Sequence, residues 1–201
     1  MDILMFGGTK ITLFFGIVVI SWVLWGLRPG LKAIRHLTLA ANTEEAKKEL
    51  VKAIQSPVDA FDVPIMILTA KTLYDAVLSH KQAREPIFYG ALEDSTEQIM
   101  ENFLDSRYIR PITLYANVLP PIGFIGTVVG MILVFSAGSD SAVAINTKGL
   151  GIALLSTLYA LSGFVLIELV KIWIVNRASH CIDFGINLFH ELEKKELPEA
   201  E

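Results

Sequence analysis

The sequence predicts an all-α membrane protein in which three transmembrane helices carry helical extensions on the cytoplasmic side. Of its 201 residues, 53% are hydrophobic and 19% are charged, which is more apolar than an ordinary soluble domain. Three stretches contain no Asp, Glu, Lys or Arg, namely residues 11–27, 111–139 and 149–167. Because about 20 mostly apolar residues cross the core of a bilayer, the second stretch is ample and the other two are near the lower limit. No segment alternates convincingly between apolar and polar residues, so strands are not expected.

A cleaved signal peptide is the alternative interpretation of the first stretch. Asp2 lies where a signal peptide carries basic residues, and Trp22 and Trp25 lie where a cleavage site needs small ones. Tryptophans near the end of an apolar run are typical of a membrane interface, which favours a retained span.

The basic residues predict the orientation of the spans, because Lys and Arg collect in cytoplasmic loops. The residues that flank the spans on one side are Arg28, Lys32, Arg35, Arg107, Arg110, Lys171 and Arg177. The opposite side has Lys10 and Lys148. We therefore expect a periplasmic N-terminus and a cytoplasmic C-terminus.

This orientation divides the chain into four segments. Residues 1–27 form the N-terminal periplasmic end and the first span, and residues 28–110 form a cytoplasmic helical domain in which Pro64 or its neighbour opens a helix. Residues 111–176 contain the second and third spans with a short periplasmic loop, and we expect them to form the channel core. Residues 177–201 form a C-terminal cytoplasmic helix and tail.

Two apolar stripes at helical spacing occur in the predicted cytoplasmic helices. Their members are Phe88, Leu92, Ile99 and Phe103 in the first stripe and Ile182, Ile186, Phe189 and Leu192 in the second. We expect the two stripes to pack together, and the alternative is a docking site for another protein.

Glycines and prolines distinguish the second span, "LPPIGFIGTVVGMILVF". Gly126 and Gly130 are four residues apart and Gly123 lies one turn earlier, so a close neighbour helix is expected on that face. This pattern alone is common in unrelated membrane proteins. Pro120 and Pro121 remove two backbone donors, which a membrane helix tolerates where neighbours or water satisfy the freed carbonyl groups.

Two threonines are predicted at similar depth in the membrane. Thr127 lies about 18 Å and Thr157 about 12 Å from the outer ends of their uncharged stretches. Each hydroxyl could simply bond back to a carbonyl one turn earlier in its own helix. A pair at matched depth on adjacent helices instead favours a shared polar lining, to which Ser136, Ser156 or Ser162 could contribute.

The second span, followed by "GLGIALLSTLYALSGFVLIEL", resembles the signature of the MotA/TolQ/ExbB proton channel family. The match is good over residues 114–176, and the three-span layout makes ExbB and TolQ the most similar members. The resemblance implies that Thr127 and Thr157 line a channel that faces a partner subunit. Where ExbB has a glutamate this chain has Ile152, so a mechanism that needs an acid there does not transfer.

Glu168 is the nearest acid on the third helix, but it does not replace that glutamate. It lies about 16 Å further along the helix than Thr157, near the inner surface of the membrane. Lys171 follows it by three residues, so a helix-surface ion pair at the membrane boundary is the expected role of Glu168.

The resemblance also implies the partners. The three uncharged stretches contain no Asp or Glu, so the titratable acid has to come from another chain. In the family this acid is an aspartate on the single span of an ExbD, TolR or MotB type subunit, which stands inside a pentameric ring of channel subunits. The implied function, which needs no cofactor, is a rotary motor of the bacterial inner membrane that conducts protons and transmits energy to an envelope process. The alternatives are a MotA-like stator of a flagellar or gliding motor and a non-conducting membrane scaffold, and the ion could be a proton or sodium.

Other classes of function are not expected. The net charge of -4 gives no indication of nucleic-acid binding. Cys181, His180 and Asp183 are close in sequence, but no second cluster of metal ligands accompanies them. Motifs for a catalytic nucleophile or for phosphate binding are missing, so an enzyme is not predicted.

Overall fold

The computed structural model describes residues 2–37, 43–55, 63–135 and 142–196, and these residues form helices without a strand. In chain order the elements are α1 (Asp2–His36), α2 (Thr43–Gln55), α3 (Ile65–Ala83), α4 (Tyr89–Leu104), a π-helix (Asp105–Ile109), α5 (Arg110–Phe135) and α6 (Ala142–Glu196). The predicted all-α class is confirmed.

Three helices in the described part of the chain are long and apolar enough to cross a membrane. They lie within Lys10–His36, Tyr89–Phe135 and Gly149–Lys194, and so agree with the three predicted spans. The second range combines α4, the π-helix and α5, which follow each other without a break. The third is part of α6, which has 55 residues.

The chain divides into two compact units. The first unit combines Met1–Gly30 with Arg110–Lys171, and the second combines Leu31–Ile109 with Ile172–Glu201. All three apolar stretches of the sequence lie in the first unit.

In the first unit, α1 packs against both α5 and α6. The indole N–H of Trp22 donates a hydrogen bond of 3.0 Å to the backbone oxygen of Tyr115, and the two rings meet edge to face. On the α6 side, a Cβ placed at Gly163 would lie 2.8 Å from a methyl carbon of Val23 and 3.3 Å from one of Val19. Small residues therefore let α1 approach its neighbours closely, as is usual between membrane helices.

We predict that Trp22→Phe destabilises the first unit by about 1 kcal/mol, because the ring is largely kept while the hydrogen bond to Tyr115 is lost. Thermal melting of the purified protein measures this change. Trp25→Phe is the matched control, since Trp25 is exposed and its ring contacts Arg28. Equal melting temperatures for the two variants would contradict the prediction.

The second unit has a hydrophobic core made by α2, α3 and the C-terminal part of α6. Its buried residues are Ala46, Leu50, Ala53, Met66, Ile67, Ala70, Leu73, Val77, Leu188 and Phe189. Pro64 precedes the first residue of α3, as predicted. Lys47 of α2 forms a 2.8 Å ion pair with Glu191 of α6, and this hydrogen-bonded contact raises the pKa of Lys47.

The two predicted apolar stripes have different outcomes. In α6, Ile182 and Phe189 are buried, and Phe189 belongs to the hydrophobic core. The stripe expected in α4 is only partly correct, because Leu92 packs against the hydrophobic core whereas Phe88 is 69% and Ile99 53% exposed. The fully buried residues of this helix are Thr96, Met100 and Leu104.

Polar contacts also connect α4 to α6. The Tyr89 hydroxyl of α4 donates a 2.6 Å hydrogen bond to the Glu193 carboxylate of α6. Nε2 of His190 in α6 lies 2.9 Å from a carboxylate oxygen of Glu93 in α4. The expectation that the two apolar stripes meet is therefore correct in part, because Leu92 of the first stripe and Phe189 of the second belong to one hydrophobic cluster, while Phe88 and Ile99 lie outside it.

Candidate functional site

Small residues form the contact between α5 and α6. A Cβ added at Gly123 would lie 2.8 Å from the Cβ of Ala160, and one added at Gly130 would lie 2.6 Å from the backbone oxygen of Gly149. Gly126 packs equally closely against Ser156. The close neighbour that the glycines predict is therefore α6 of the same chain, and we call this contact the α5–α6 seam.

The contact pairs of the seam show that α5 and α6 are antiparallel. Gly123 meets Ala160, Gly126 meets Ser156 and Gly130 meets Ala153, so the partner number falls as the α5 number rises. Thr127 follows Gly126 by one residue, and Thr157 follows Ser156 by one. With a rise of about 1.5 Å per residue in each helix, the two threonines differ by about 3 Å along the seam. The structure thus places them at nearly the same level.

Both threonines lie on the same side of the seam. Thr127 comes four residues after Gly123, and Thr157 comes four residues after Ala153, so each is rotated about 40° past a contact residue. The two helices are right-handed and run in opposite directions. The same rotation in sequence therefore brings both side chains to one side of the helix pair.

Helix α1 covers the other side of the seam. Tyr115 of α5 is in contact with Trp22 and Gly26 of α1, and Tyr159 of α6 is 3.7 Å from a Cβ placed at Gly16. Tyr115 lies eight residues before Gly123, a rotation of about 80° in the direction away from Thr127. Within the described residues of the first unit, no helix covers the side that carries the threonines.

We call the uncovered surface the threonine face. Its members are Phe124, Thr127 and Met131 of α5 and Leu154, Thr157 and Leu161 of α6. The four apolar members are between 48% and 67% exposed, whereas both threonines are half-buried. The face is therefore apolar, with two hydroxyl groups at one level.

The threonine hydroxyls donate to backbone oxygens of this chain. Thr127 donates to Phe124 at 2.6 Å. Thr157 donates to Ala153 at 3.1 Å and lies 3.5 Å from the oxygen of Gly123 across the seam. The bond back to the same helix is thus present in both cases. A hydroxyl oxygen also has two lone pairs, so each threonine can still accept a hydrogen bond or bind a cation.

Of the three predicted serines, the two that the structure describes do not join the threonines. Ser156 is buried in the seam, where it donates to Ala153 at 2.9 Å. Ser162 is exposed and lines a groove of about 770 Å³ between α1 and α6, away from the threonine face. Ser136 lies outside the described residues.

The remaining predicted positions support the helices or differ from the family pattern. Pro120 and Pro121 lie within α5, which continues through both. Ile152, at the position where the resemblance would place a glutamate, is buried with 3% exposure. Glu168 forms the expected ion pair with Lys171 at 2.6 Å.

Two features of the site were not predicted from the sequence. Asn117 of α5 is exposed within an uncharged stretch and has no hydrogen-bond partner among the described residues. Glu168 lies on the side of α6 that carries Thr157. The signal in the sequence is the spacing of eleven residues between them, because eleven residues are close to three full helical turns. In the described part of the chain, no three His, Cys, Asp or Glu side chains are grouped so that they could hold a metal ion.

Comparison with protein families gives one match, which includes every residue of the threonine face. A family model described as the MotA/TolQ/ExbB proton channel family matches residues 64–182. This range contains α3, α4, α5 and the part of α6 that forms the seam. Comparison with curated proteins and comparison with solved structures gave no match.

Proposed function

The chain belongs to the MotA/TolQ/ExbB proton channel family, and we propose that it is the ring-forming channel subunit of an ExbB/TolQ type motor in the bacterial inner membrane. In this proposal the N-terminus is periplasmic and the C-terminus cytoplasmic, as the basic residues predict. The motor uses the ion gradient to drive a process in the cell envelope.

The observation that carries this proposal is the threonine face. Thr127 and Thr157 are level with each other, lie on one side of the seam, and are surrounded by exposed apolar side chains. Polar groups deep in a bilayer usually face a protein interior or a water-filled cavity and seldom face lipid. We therefore infer that another transmembrane helix packs against this face.

The partner in this proposal is a single-span subunit that carries an aspartate at the level of the threonines. A charge at mid-depth is costly, and the stretches 111–139 and 149–167 contain no acid that could bind the ion there. A partner of the ExbD, TolR or MotB type supplies this acid in the family. A pentameric ring of this chain would surround the partner helices with several equivalent threonine faces.

The proposed mechanism is rotary. An ion from outside neutralises the partner's aspartate, and the neutral side chain can then move along the apolar face at low cost. Each time the aspartate reaches a threonine face, Thr127 and Thr157 accept a hydrogen bond from the protonated acid or bind the cation. Release of the ion to the cytoplasm restores the charge, which disfavours return across the apolar surface.

Ion flux in liposomes tests the proposal. We expect rapid flux when this chain is reconstituted with its single-span partner, and little flux with either protein alone. Asn in place of the partner's aspartate should remove the flux while the two proteins still copurify. If the chain and its partner assemble but conduct no ions, the non-conducting scaffold is the correct interpretation.

A further inference from the structure

Glu168 lies on the same side of α6 as Thr157. The two residues are eleven positions apart, which is three helical turns with a rotation of only about 20°. The rise over this distance is about 16 Å. In the orientation proposed above, Glu168 is therefore at the cytoplasmic end of the threonine face.

Contacts of α1 show which part of α5 is level with Glu168. A Cβ placed at Gly26 would lie 2.8 Å from the Cβ of Tyr115 and 3.2 Å from the Cδ1 of Ile167. Tyr115 and Ile167 are thus at one level, and Glu168 follows Ile167 directly. Asn117 lies two residues from Tyr115 on α5, which is about 3 Å along the helix axis.

This level of the first unit is polar, whereas the threonine face above it is mostly apolar. Glu168 and Lys171 form an ion pair with oxygen–nitrogen distances of 2.6 and 2.7 Å, and their side chains are 24% and 23% exposed. The exposed amide of Asn117 has no partner among the described residues. The carboxylate is thus partly accessible, and within the described part of the chain Lys171 supplies the one nitrogen that forms an ion pair with it.

We propose that Glu168 is a second cation site, which receives the ion released at the threonines before it passes to the cytoplasm. This inference rests on the proposed function. The cation moves from the partner's aspartate to the Glu168 carboxylate and displaces the Lys171 ammonium group. When the cation enters the cytoplasmic water, the Glu168–Lys171 pair forms again.

Flux measurements on the reconstituted complex test this second site. We expect Glu168→Gln to lower the flux at least fivefold at a fixed membrane potential, and Glu168→Asp to retain most of it. Lys171→Gln also breaks the ion pair but keeps the carboxylate, so it should retain flux. The matched control is Glu44→Gln, which breaks a Glu–Lys pair of the same spacing in α2.

The outcomes separate the second site from a structural role and from the proposed function. Equal losses in Glu168→Gln and Lys171→Gln, or loss of copurification with the partner in both, would assign the pair to structure and overturn the proposal. Wild-type flux in Glu168→Gln would overturn it as well. If Glu168→Gln conducts normally while a variant without both threonine hydroxyls does not, the proposed function stands and the second site fails.

Discussion

Replacement of both Thr127 and Thr157 by valine is expected to lower ion flux at least a hundredfold without preventing assembly with the partner. Valine has nearly the shape of threonine but offers no lone pair to a cation or a protonated acid. The partner's aspartate would then face a wholly apolar surface, where binding and release of the ion are costly. Flux in liposomes and copurification of the partner measure the two effects.

Assembly should survive this change because the hydroxyls contribute little to the seam. Thr127 donates within its own helix, and Thr157 donates at 3.1 Å to Ala153 of its own helix. Loss of such a bond costs about 1 kcal/mol. Ser21→Ala is the matched control, because Ser21 is an exposed hydroxyl on α1, which covers the other side of the seam. Unchanged flux in the double variant would refute the proposed ion path.

The spans and the seam were predictable from the sequence for clear physical reasons. An uncharged stretch of sufficient length has few alternatives to a membrane helix, and the row Gly123, Gly126 and Gly130 indicates a close neighbour. The depth of Thr127 and Thr157 could be estimated because the rise per residue of a helix is fixed. These inferences use only the length of a stretch, the spacing of its residues and the fixed geometry of a helix, all of which can be read from the sequence.

The side chains that share a face were harder to predict. Ser156 and Thr157 are adjacent in sequence, but one is buried in the seam and the other reaches the threonine face. Which of the two residues faces α5 depends on the rotation of α6 about its own axis, and the contacts of the α5 glycines define this rotation. Ser162 was expected near the threonines, but it lies in the groove beside α1.

Helix α4 shows a second limit of sequence patterns. Its spacing of apolar residues predicts a buried stripe, yet Phe88 and Ile99 are exposed and polar contacts join α4 to α6. The π-helix Asp105–Ile109 contains neither proline nor glycine, so no local signal marks the change in winding between α4 and α5.

Gly130→Ala is expected to destabilise the complex by about 3 kcal/mol and to reduce the yield of the assembled form. The added methyl group would lie 2.6 Å from the backbone oxygen of Gly149 and 2.8 Å from the backbone nitrogen of Ala153. Backbone atoms cannot turn aside as a flexible side chain can, so α5 and α6 must separate, and overpacking of this kind costs about 1–3 kcal/mol. Thermal inactivation of ion flux and the yield after detergent extraction measure the effect.

Gly151→Ala provides the matched control for this prediction. It is the same substitution in a membrane helix, but a Cβ at Gly151 meets nothing within 4 Å. Alanine also has the higher helix propensity, by about 1 kcal/mol, so Gly151→Ala should be neutral or slightly stabilising. The seam holds Thr127 and Thr157 level with each other, and its separation would also move the two hydroxyls apart. Gly130→Ala should therefore lose flux even at temperatures at which it remains assembled, and normal flux in that state would show that the ion path does not depend on the seam.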